Sequence, residues 1–458
     1  MSLSTVQLLP HPRQQVVDWF NRPGAVRRLT PGLMPMTVVQ EASNLADGMT
    51  VFDMPGGLQW RAQHDPGAYI PGTQFVDDAV SEPFRSALRW RHLHGFADAT
   101  GADGSAQCLV TDDVSTRVPA VALRSVFAYR HRVLADDFAA AHRLASYLGL
   151  SDVAGNPIAA LPKLTIAVSG ASGTIGTALC ALLTTTGHTV IELVRGEAGP
   201  GQRKWDTNDP AEDLLDGVDA LVHLAGAPIA GRFTDAHLKA VRESRVGPTR
   251  KLAELIAAGR GPKTVVSASA VGFYGKDRGT EVLDESAGSG DGVLSEIVSE
   301  WEAAWQPARD AGARVTTVRT GLVQSGGGGL LPLLAGVTFT GLGGPLGDGQ
   351  QWFPWIAVDD LLDIYHRALL DPNVSGPVNA VAPNGMTNKA YTKTLARVLH
   401  RPAVIPVPKA GPAAMLGWQG AEELALANQR AVGSKLEELG HVFRFPKLTA
   451  ALRHELLR

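Results

Sequence analysis

Val168-Ser-Gly-Ala-Ser-Gly-Thr-Ile-Gly176 follows the apolar run LTIAVSG (164–170) and leads into a helical pattern that ends at Gly187. Glycines three apart at 170, 173 and 176, set between a buried strand and a helix, permit a tight turn and close approach of another backbone or a pyrophosphate. The helix start adds unpaired N–H groups and a positive dipole end. A glycine triplet alone is a weak signal. Its strand and helix context makes this one a dinucleotide-binding turn, with Gly170, Ser172, Gly173, Thr174, Ile175 and Gly176 as the cofactor-binding residues.

The alternation continues outward from the turn. TVIELV (189–194), DALVHLAG (219–226), KTVVSAS (263–269) and ARVTTVRT (313–320) read as buried strands, separated by helical patterns at 235–258 and 294–311. Buried strands alternating with helices give a parallel sheet covered on both faces. The expected fold class is therefore α/β, a Rossmann-type doubly wound sheet with a small C-terminal substrate lobe. Upstream the pattern differs. A helix near 12–20, short alternating stretches such as TVFDMPGGLQWRAQH (50–64), and a helix near 136–148 read as an α+β domain with an antiparallel sheet. The Gly- and Pro-bearing SDVAGNPIAALPK (151–163) reads as the linker, giving domains at 1–155 and 160–458.

Composition narrows the partners. The 458 residues carry a net charge of -3, which leaves no electrostatic footprint for nucleic acid or an anionic membrane. The uncharged stretch 320–347 is broken by Gly and Pro too often to be a membrane span. Two cysteines, Cys108 and Cys180, suggest neither a disulfide framework nor a zinc site. A cytoplasmic protein with a small-molecule substrate is expected, with a homodimer as its candidate assembly. At the tip of the second strand stands Arg195, suited to a 2′-phosphate, where an acid would take the ribose hydroxyl of NAD. NADP is thus the expected cofactor, NAD the lesser one. Glu192 is two residues too early for that role. His223, between Val222 and Leu224, reads as a satisfied core histidine.

With VSGASGTIG stand LVHLAGAP (221–228), SASAVGFYG (267–275), VRTGLV (318–323) and WIAVDDL (355–361), in that order. From Lys163 to the C-terminus the chain resembles the extended short-chain dehydrogenase/reductases. It is most similar to a nucleoside-diphosphate-sugar epimerase subgroup marked by KWD (204–206), GLGGPLGDGQQW (341–352) and ANQRAVGSKLEELG (427–440). The resemblance implies that Asp206 meets the adenine edge and that Ala225 and Gly226 pass close to the adenosine ribose and nicotinamide half.

It also implies a catalytic Ser or Thr, a Tyr and a Lys. Ser269 matches the hydroxyl that positions a substrate carbonyl. The tyrosine and lysine positions fall on Leu294 and Val298 in GDGVLSEIVSEWEAAW (290–305), and neither can carry a proton. Tyr274 is the tyrosine nearest in sequence, so Ser269 and Tyr274 form the candidate catalytic pair, with an ordered water as the alternative proton carrier. Tyr274 also fits a packing or substrate-binding role. No Lys or Arg lies between Arg319 and Arg367, so a diphosphate would need Lys389, Lys393 or the backbone of Gly326–Gly329. Leu330, Leu331, Leu333, Leu334, Phe339, Trp352, Phe353 and Trp355 fit an apolar pocket or a core equally well. Asp359 and Asp360 read as acids that cap a helix and meet its N-terminal dipole favourably.

RPGAVRRLTPG (22–32), FVDDAVSEPFRSALRWRHLHGF (75–96), TDDVSTRVP (111–119) and FAYRHRVLADDF (127–138) resemble the START-like polyketide-cyclase and lipid-transfer superfamily. That implies a helix-grip domain holding an apolar ligand. Trp90, His92, His94 and Phe96 share one strand face. Two histidines lack a third metal ligand in the sequence, so no metal is expected. Two functions follow: an NADP-dependent oxidoreductase or epimerase with atypical catalytic residues, or an NADP-loaded redox or ligand sensor.

Overall fold

A computed structural model describes residues 2–150, 156–403 and 405–458. The chain forms two compact units. One comprises Met1–Lys163 with Cys180–His188 and Leu457, the other Leu164–Leu179, Thr189–Leu456 and Arg458. Residues 151–155 of the expected linker lie outside the described residues, and Pro157–Ala160 form a short helix.

The first unit is built on seven strands: β1 (Ser2–Leu9), β2 (Thr37–Gln40), β3 (Met49–Met54), β4 (Leu58–His64), β5 (Gln74–Ala79), β6 (Arg91–Thr100) and β7 (Ala106–Ser115). They form one antiparallel sheet in the order β1-β7-β6-β5-β4-β3-β2. Its helices are α1 (Arg13–Asn21), α2 (Ala25–Leu29), α3 (Phe84–Leu88), α4 (Ala120–Tyr147) and α5 (Pro157–Ala160). The helix read at 136–148 is the second half of α4, which begins right after Pro119. Arg, His and Asp spread around its surface hide the apolar stripe. That stripe, Leu123, Phe127, Leu134, Phe138, Ala141 and Ala145, is buried at helical spacing. Arg28 on α2 and Asp137 on α4 form a buried ion pair at 2.6 Å.

In the second unit the strands are β8 (Thr165–Ser169), β9 (Thr189–Val194), β10 (Gln202–Lys204), β11 (Ala220–His223), β12 (Thr264–Ala270), β13 (Asp277–Leu283), β14 (Arg314–Thr320), β15 (Leu322–Gln324), β16 (Trp352–Phe353), β17 (Trp355–Ala357), β18 (Gly376–Ala380), β19 (Met386–Thr387) and β20 (Asn428–Ala431). Seven of them make a parallel sheet ordered β10-β9-β8-β11-β12-β14-β18. The chain winds one way from β8 to β10 and the other way from β11 to β18. The reversal opens a crevice beyond the carboxyl ends of β8 and β11. The remaining helices of the chain are α6 (Thr174–Thr185), α7 (Asp235–Ala257), α8 (Val293–Ala303), α9 (Gln306–Asp310), α10 (Leu330–Phe339), α11 (Val358–Leu370), α12 (Asn388–Leu399), α13 (Ala410–Gly420), α14 (Ser434–Glu438) and α15 (Leu448–Glu455).

The single helix expected over 294–311 is two, α8 and α9, divided around Trp305 with Pro307 opening the second. Leu331, Phe353 and Trp355 belong to a core with Tyr391, Leu395, Phe445 and Leu452. Leu333 and Phe339 are exposed, so the proposed apolar pocket residues divide between core and surface. Among the described residues no helix is long and apolar enough to cross a membrane.

Candidate functional site

The turn after β8 is shaped by two glycines that cannot be larger. Gly170 has φ +74°, and a Cβ there would stand 2.8 Å from the Leu224 carbonyl carbon. A Cβ at Gly176 would collide with the Gly170 carbonyl oxygen. These two positions thread the turn between β11 and its own helix. Gly173 differs, since a Cβ there would meet only the Gly170 oxygen, at 3.4 Å. Ser172, Gly173 and Thr174 are exposed at the start of α6, with Ile175 partly buried. The turn thus presents open backbone at a helix N-terminus, which fits a pyrophosphate.

The other expected cofactor residues fall around the same crevice. Arg195 is exposed, immediately after β9. Glu192 lies within β9 and accepts from Gln202 Nε2 at 2.9 Å. Asp206 is exposed after β10, its Oδ1 accepting the N–H of Asn208 at 2.9 Å, so one carboxylate oxygen remains available. Ala225 and Gly226 follow β11, with the Ala225 nitrogen close beside Gly170. A Cβ on Gly226 would stand 2.8 Å from the Arg245 guanidinium carbon. Arg245, buried on α7, was not singled out in the sequence, where a cation in a charged helix reads as surface. Its Nε has no hydrogen-bond partner among the described residues. Burial lowers its pKa to about 10. Its Nη1 donates to the Val241 carbonyl at 3.1 Å, and the guanidinium lies over the Trp301 ring, 5.2 Å from its centre.

His223 is the satisfied core residue expected. Its Nδ1 meets Ser169 Oγ at 2.8 Å and its Nε2 meets Thr249 Oγ1 at 3.0 Å. Burial, with the charge of Arg245, pushes it down to about 3.

Ser269 lies near the end of β12, level with Arg319 on β14, which is level with Asn379 on β18. Ser269 Oγ donates to Glu302 Oε1 at 2.5 Å. Arg319 grips the same carboxylate through Nε at 2.9 Å and Nη2 at 2.8 Å. Tyr274 is fully buried. Its hydroxyl faces Asn379 Oδ1 at 2.7 Å and the Asp284 carbonyl at 2.8 Å, and receives Arg319 Nη1 at 3.1 Å. Burial raises its pKa despite the Arg319 charge. The structure therefore joins Ser269 and Tyr274 through Arg319, with Tyr274 placed as an anchor whose hydroxyl is already engaged. Leu294 and Val298 are buried on α8. Lys276 pairs with Glu422 at 3.1 Å on the surface.

On the substrate side the details narrow two expectations. Gly326 donates its N–H to Glu455 and Gly327 to Ser325, so two of the four N–H groups of that turn are already engaged. Asp359 and Asp360 stand in the first turn of α11, where they meet the helix dipole as expected, but their side chains do not cap the helix. Asp360 instead receives the backbone N–H of Arg444 at 2.5 Å and of Phe445 at 3.1 Å, which ties the C-terminal segment to α11. Lys389 and Lys393 are exposed on α12.

The reversed sheet order, the glycine turn at its crevice and the strand-end serine define a nucleotide-binding fold of the extended short-chain dehydrogenase/reductase class. Comparison with known proteins makes the assignment narrower. The NAD dependent epimerase/dehydratase family matches residues 166–381, and a domain of unknown function, DUF1731, matches 407–455. The epimerase family protein Mb2239 of Mycobacterium bovis is 38% identical over 299 residues, covering 64% of this chain and 98% of that protein. The chain belongs to the NAD-dependent epimerase/dehydratase family. A solved nucleoside-diphosphate sugar epimerase from Corynebacterium glutamicum is similar over 99% of this chain and 90% of its own, with 46% identity and a TM-score of 0.85. Human epimerase family protein SDR39U1, solved with NADPH, is 37% identical with a TM-score of 0.59, over 63% of this chain and 98% of its own.

Proposed function

We propose that the second unit is an NADP-dependent oxidoreductase or epimerase, acting on a nucleoside-diphosphate sugar or a related carbonyl compound with an atypical catalytic set. The observation that carries this reading is the turn 170–176, whose first and third glycines have no room for a side chain while the second lies open. The NADPH bound in the human relative favours NADP, and Arg195 supplies a cation suited to its 2′-phosphate. Arg245 and the N-terminus of α6 would hold the pyrophosphate. Asp206 would meet the adenine edge. When bound, the nicotinamide supplies a hydride acceptor or donor.

The remaining chemistry falls to Ser269 and its neighbours. Because the Ser269 proton is directed at Glu302, its oxygen lone pairs are left to receive a substrate O–H. Glu302, held in place by Arg319, is the base on that line. Tyr274 keeps Arg319 in position, and water completes the proton path. A second reading, an NADP-loaded sensor, is supported by the resemblance, which implies Leu294 and Val298 at the positions of the family's tyrosine and lysine. For the first unit we propose a START-like ligand-binding role, supported by a cavity of about 410 Å³ with a mostly apolar lining. We propose a cytoplasmic location on the sequence alone, whose two cysteines, Cys108 and Cys180, form no disulfide framework.

The test uses the full chain. Calorimetry with NADPH and NADH measures the cofactor, and nicotinamide turnover is followed with nucleotide sugars and simple carbonyl compounds. Turnover that Ser269→Ala and Glu302→Gln abolish, with NADPH affinity kept, supports the enzyme. Tight NADPH binding without turnover across the panel supports the sensor. Absence of binding to either nucleotide removes both.

A further inference from the structure

We infer that Asp77, His92 and His94 form a binding site for a divalent transition metal ion of the zinc type at the polar end of the first unit's cavity. The sheet register builds the site. Asp77 on β5 lies directly opposite His92 on β6, and His94, two residues on and on the same face, lies directly opposite Asp112 on β7. Two imidazoles are thereby flanked by carboxylates from both neighbouring strands. The third ligand missing from the histidine pair in sequence is supplied by a strand that ends a dozen residues upstream.

The spacing suits a metal. Asp77 Oδ2 lies 3.1 Å from His94 Nε2 and 3.5 Å from His92 Nδ1. Ligands about 2.0–2.1 Å from a tetrahedral zinc ion stand about 3.3 Å apart. One ligand atom from each of the three residues lies within 4.8 Å of the others. The opposite oxygen of Asp77 accepts from Trp90 Nε1 at 3.1 Å, which fixes the carboxylate and leaves Oδ2 for the ion.

The second carboxylate is placed as outer-shell partners of metal-bound histidines are. Asp112 Oδ1 lies 2.9 Å from His92 Nε2 and 3.3 Å from His94 Nδ1, the nitrogens turned away from Asp77. Asp112 is in turn held by His131 at 3.2 Å. His92 and His94 are buried, and all three ligand residues line the cavity.

Two imidazoles and one carboxylate form the donor set of open zinc and non-haem iron sites, where a further position takes water or a ligand oxygen. Phe20, Leu29, Met34, Phe52 and Trp60 line the same cavity. The ligand that fits is an apolar molecule bearing one oxygen donor, such as a carboxylate or an enolate.

Metal-stripped full-length protein is titrated with Co(II), followed by its visible absorption, and with Zn(II), by competition with a chromogenic chelator. One equivalent is expected to bind, and X-ray absorption at the metal edge should show two imidazoles. Asp77→Asn and His94→Gln should each weaken binding by at least about 100-fold, and Asp112→Asn by about 10-fold, while circular dichroism shows the fold retained. Should a variant unfold, the wild-type stoichiometry and imidazole count decide. No uptake by the wild type at micromolar metal, a site without imidazole, or uptake unchanged in folded Asp77→Asn and His94→Gln overturns the assignment.

Discussion

The carbonyl oxygen of Gly170 occupies the space into which a side chain at Gly176 would grow. Gly176 therefore holds the turn closed against α6, whereas Gly173 leaves its outer face free. The two glycines should fail differently. Gly176→Ala should cost about 1–3 kcal/mol of stability, as overpacking does, and reduce NADPH binding with it. Gly173→Ala should leave the urea midpoint nearly unchanged and still weaken NADPH by about tenfold or more, because its methyl stands where the pyrophosphate approaches. Unfolding curves and calorimetry on both variants separate the cases, and equal losses of stability would refute the division of roles.

This contrast also shows why the nucleotide site was legible in sequence and other features were not. A glycine turn between an apolar strand and a helix is a local pattern, whereas the reading of Leu294 and Val298 as positions without a proton carrier came only from the family resemblance. Arg245 carries no such mark, since its value comes from burial on α7 beside Gly226. Asp77 becomes a partner of His92 and His94 only through the pairing of β5 with β6, which spacing along the chain does not encode. The break between α8 and α9 needed Pro307 to be weighed above the apolar periodicity.

Arg195 stands exposed at the end of β9, where a 2′-phosphate would lie. Arg195→Ala should weaken NADPH by about tenfold or more, equivalent to about 1.4 kcal/mol, and leave NADH unchanged. Calorimetric titration with both nucleotides measures the ratio. A parallel loss for NADPH and NADH would mean that Arg195 supports the fold or the pyrophosphate instead.

His223 gives the protein an acid-sensitive core. Its pKa falls from the ordinary 6.5 to about 3 in the folded chain, through burial first and the Arg245 charge second. The unfolded chain therefore binds more protons between these values, and stability is lost as pH falls from about 6.5 towards 3, at up to about 1.4 kcal/mol per pH unit. His223→Asn should be less stable than wild type at pH 7 and show a shallower decline between pH 7 and 5. Urea unfolding at several pH values checks the difference in slope, and identical slopes would remove His223 as the source.

Ser269, Glu302 and Arg319 should separate stability from chemistry. The side chains of Glu302 and Arg319 are 13% and 5% exposed, so removing one partner leaves a buried charge uncompensated. Arg319→Met alone should cost about 3–5 kcal/mol, and adding Glu302→Leu should recover part of that, because two apolar groups strand no charge. Ser269→Ala loses one hydrogen bond to a charged group, about 1.5–3 kcal/mol, and leaves the ion pair intact. If the proposed chemistry holds, Ser269→Ala abolishes turnover in a folded protein that still binds NADPH. Urea unfolding of the single and double variants measures the coupling. A double variant no more stable than Arg319→Met would show that Arg319 acts mainly through Tyr274 and Asn379, with Glu302 free to serve the substrate.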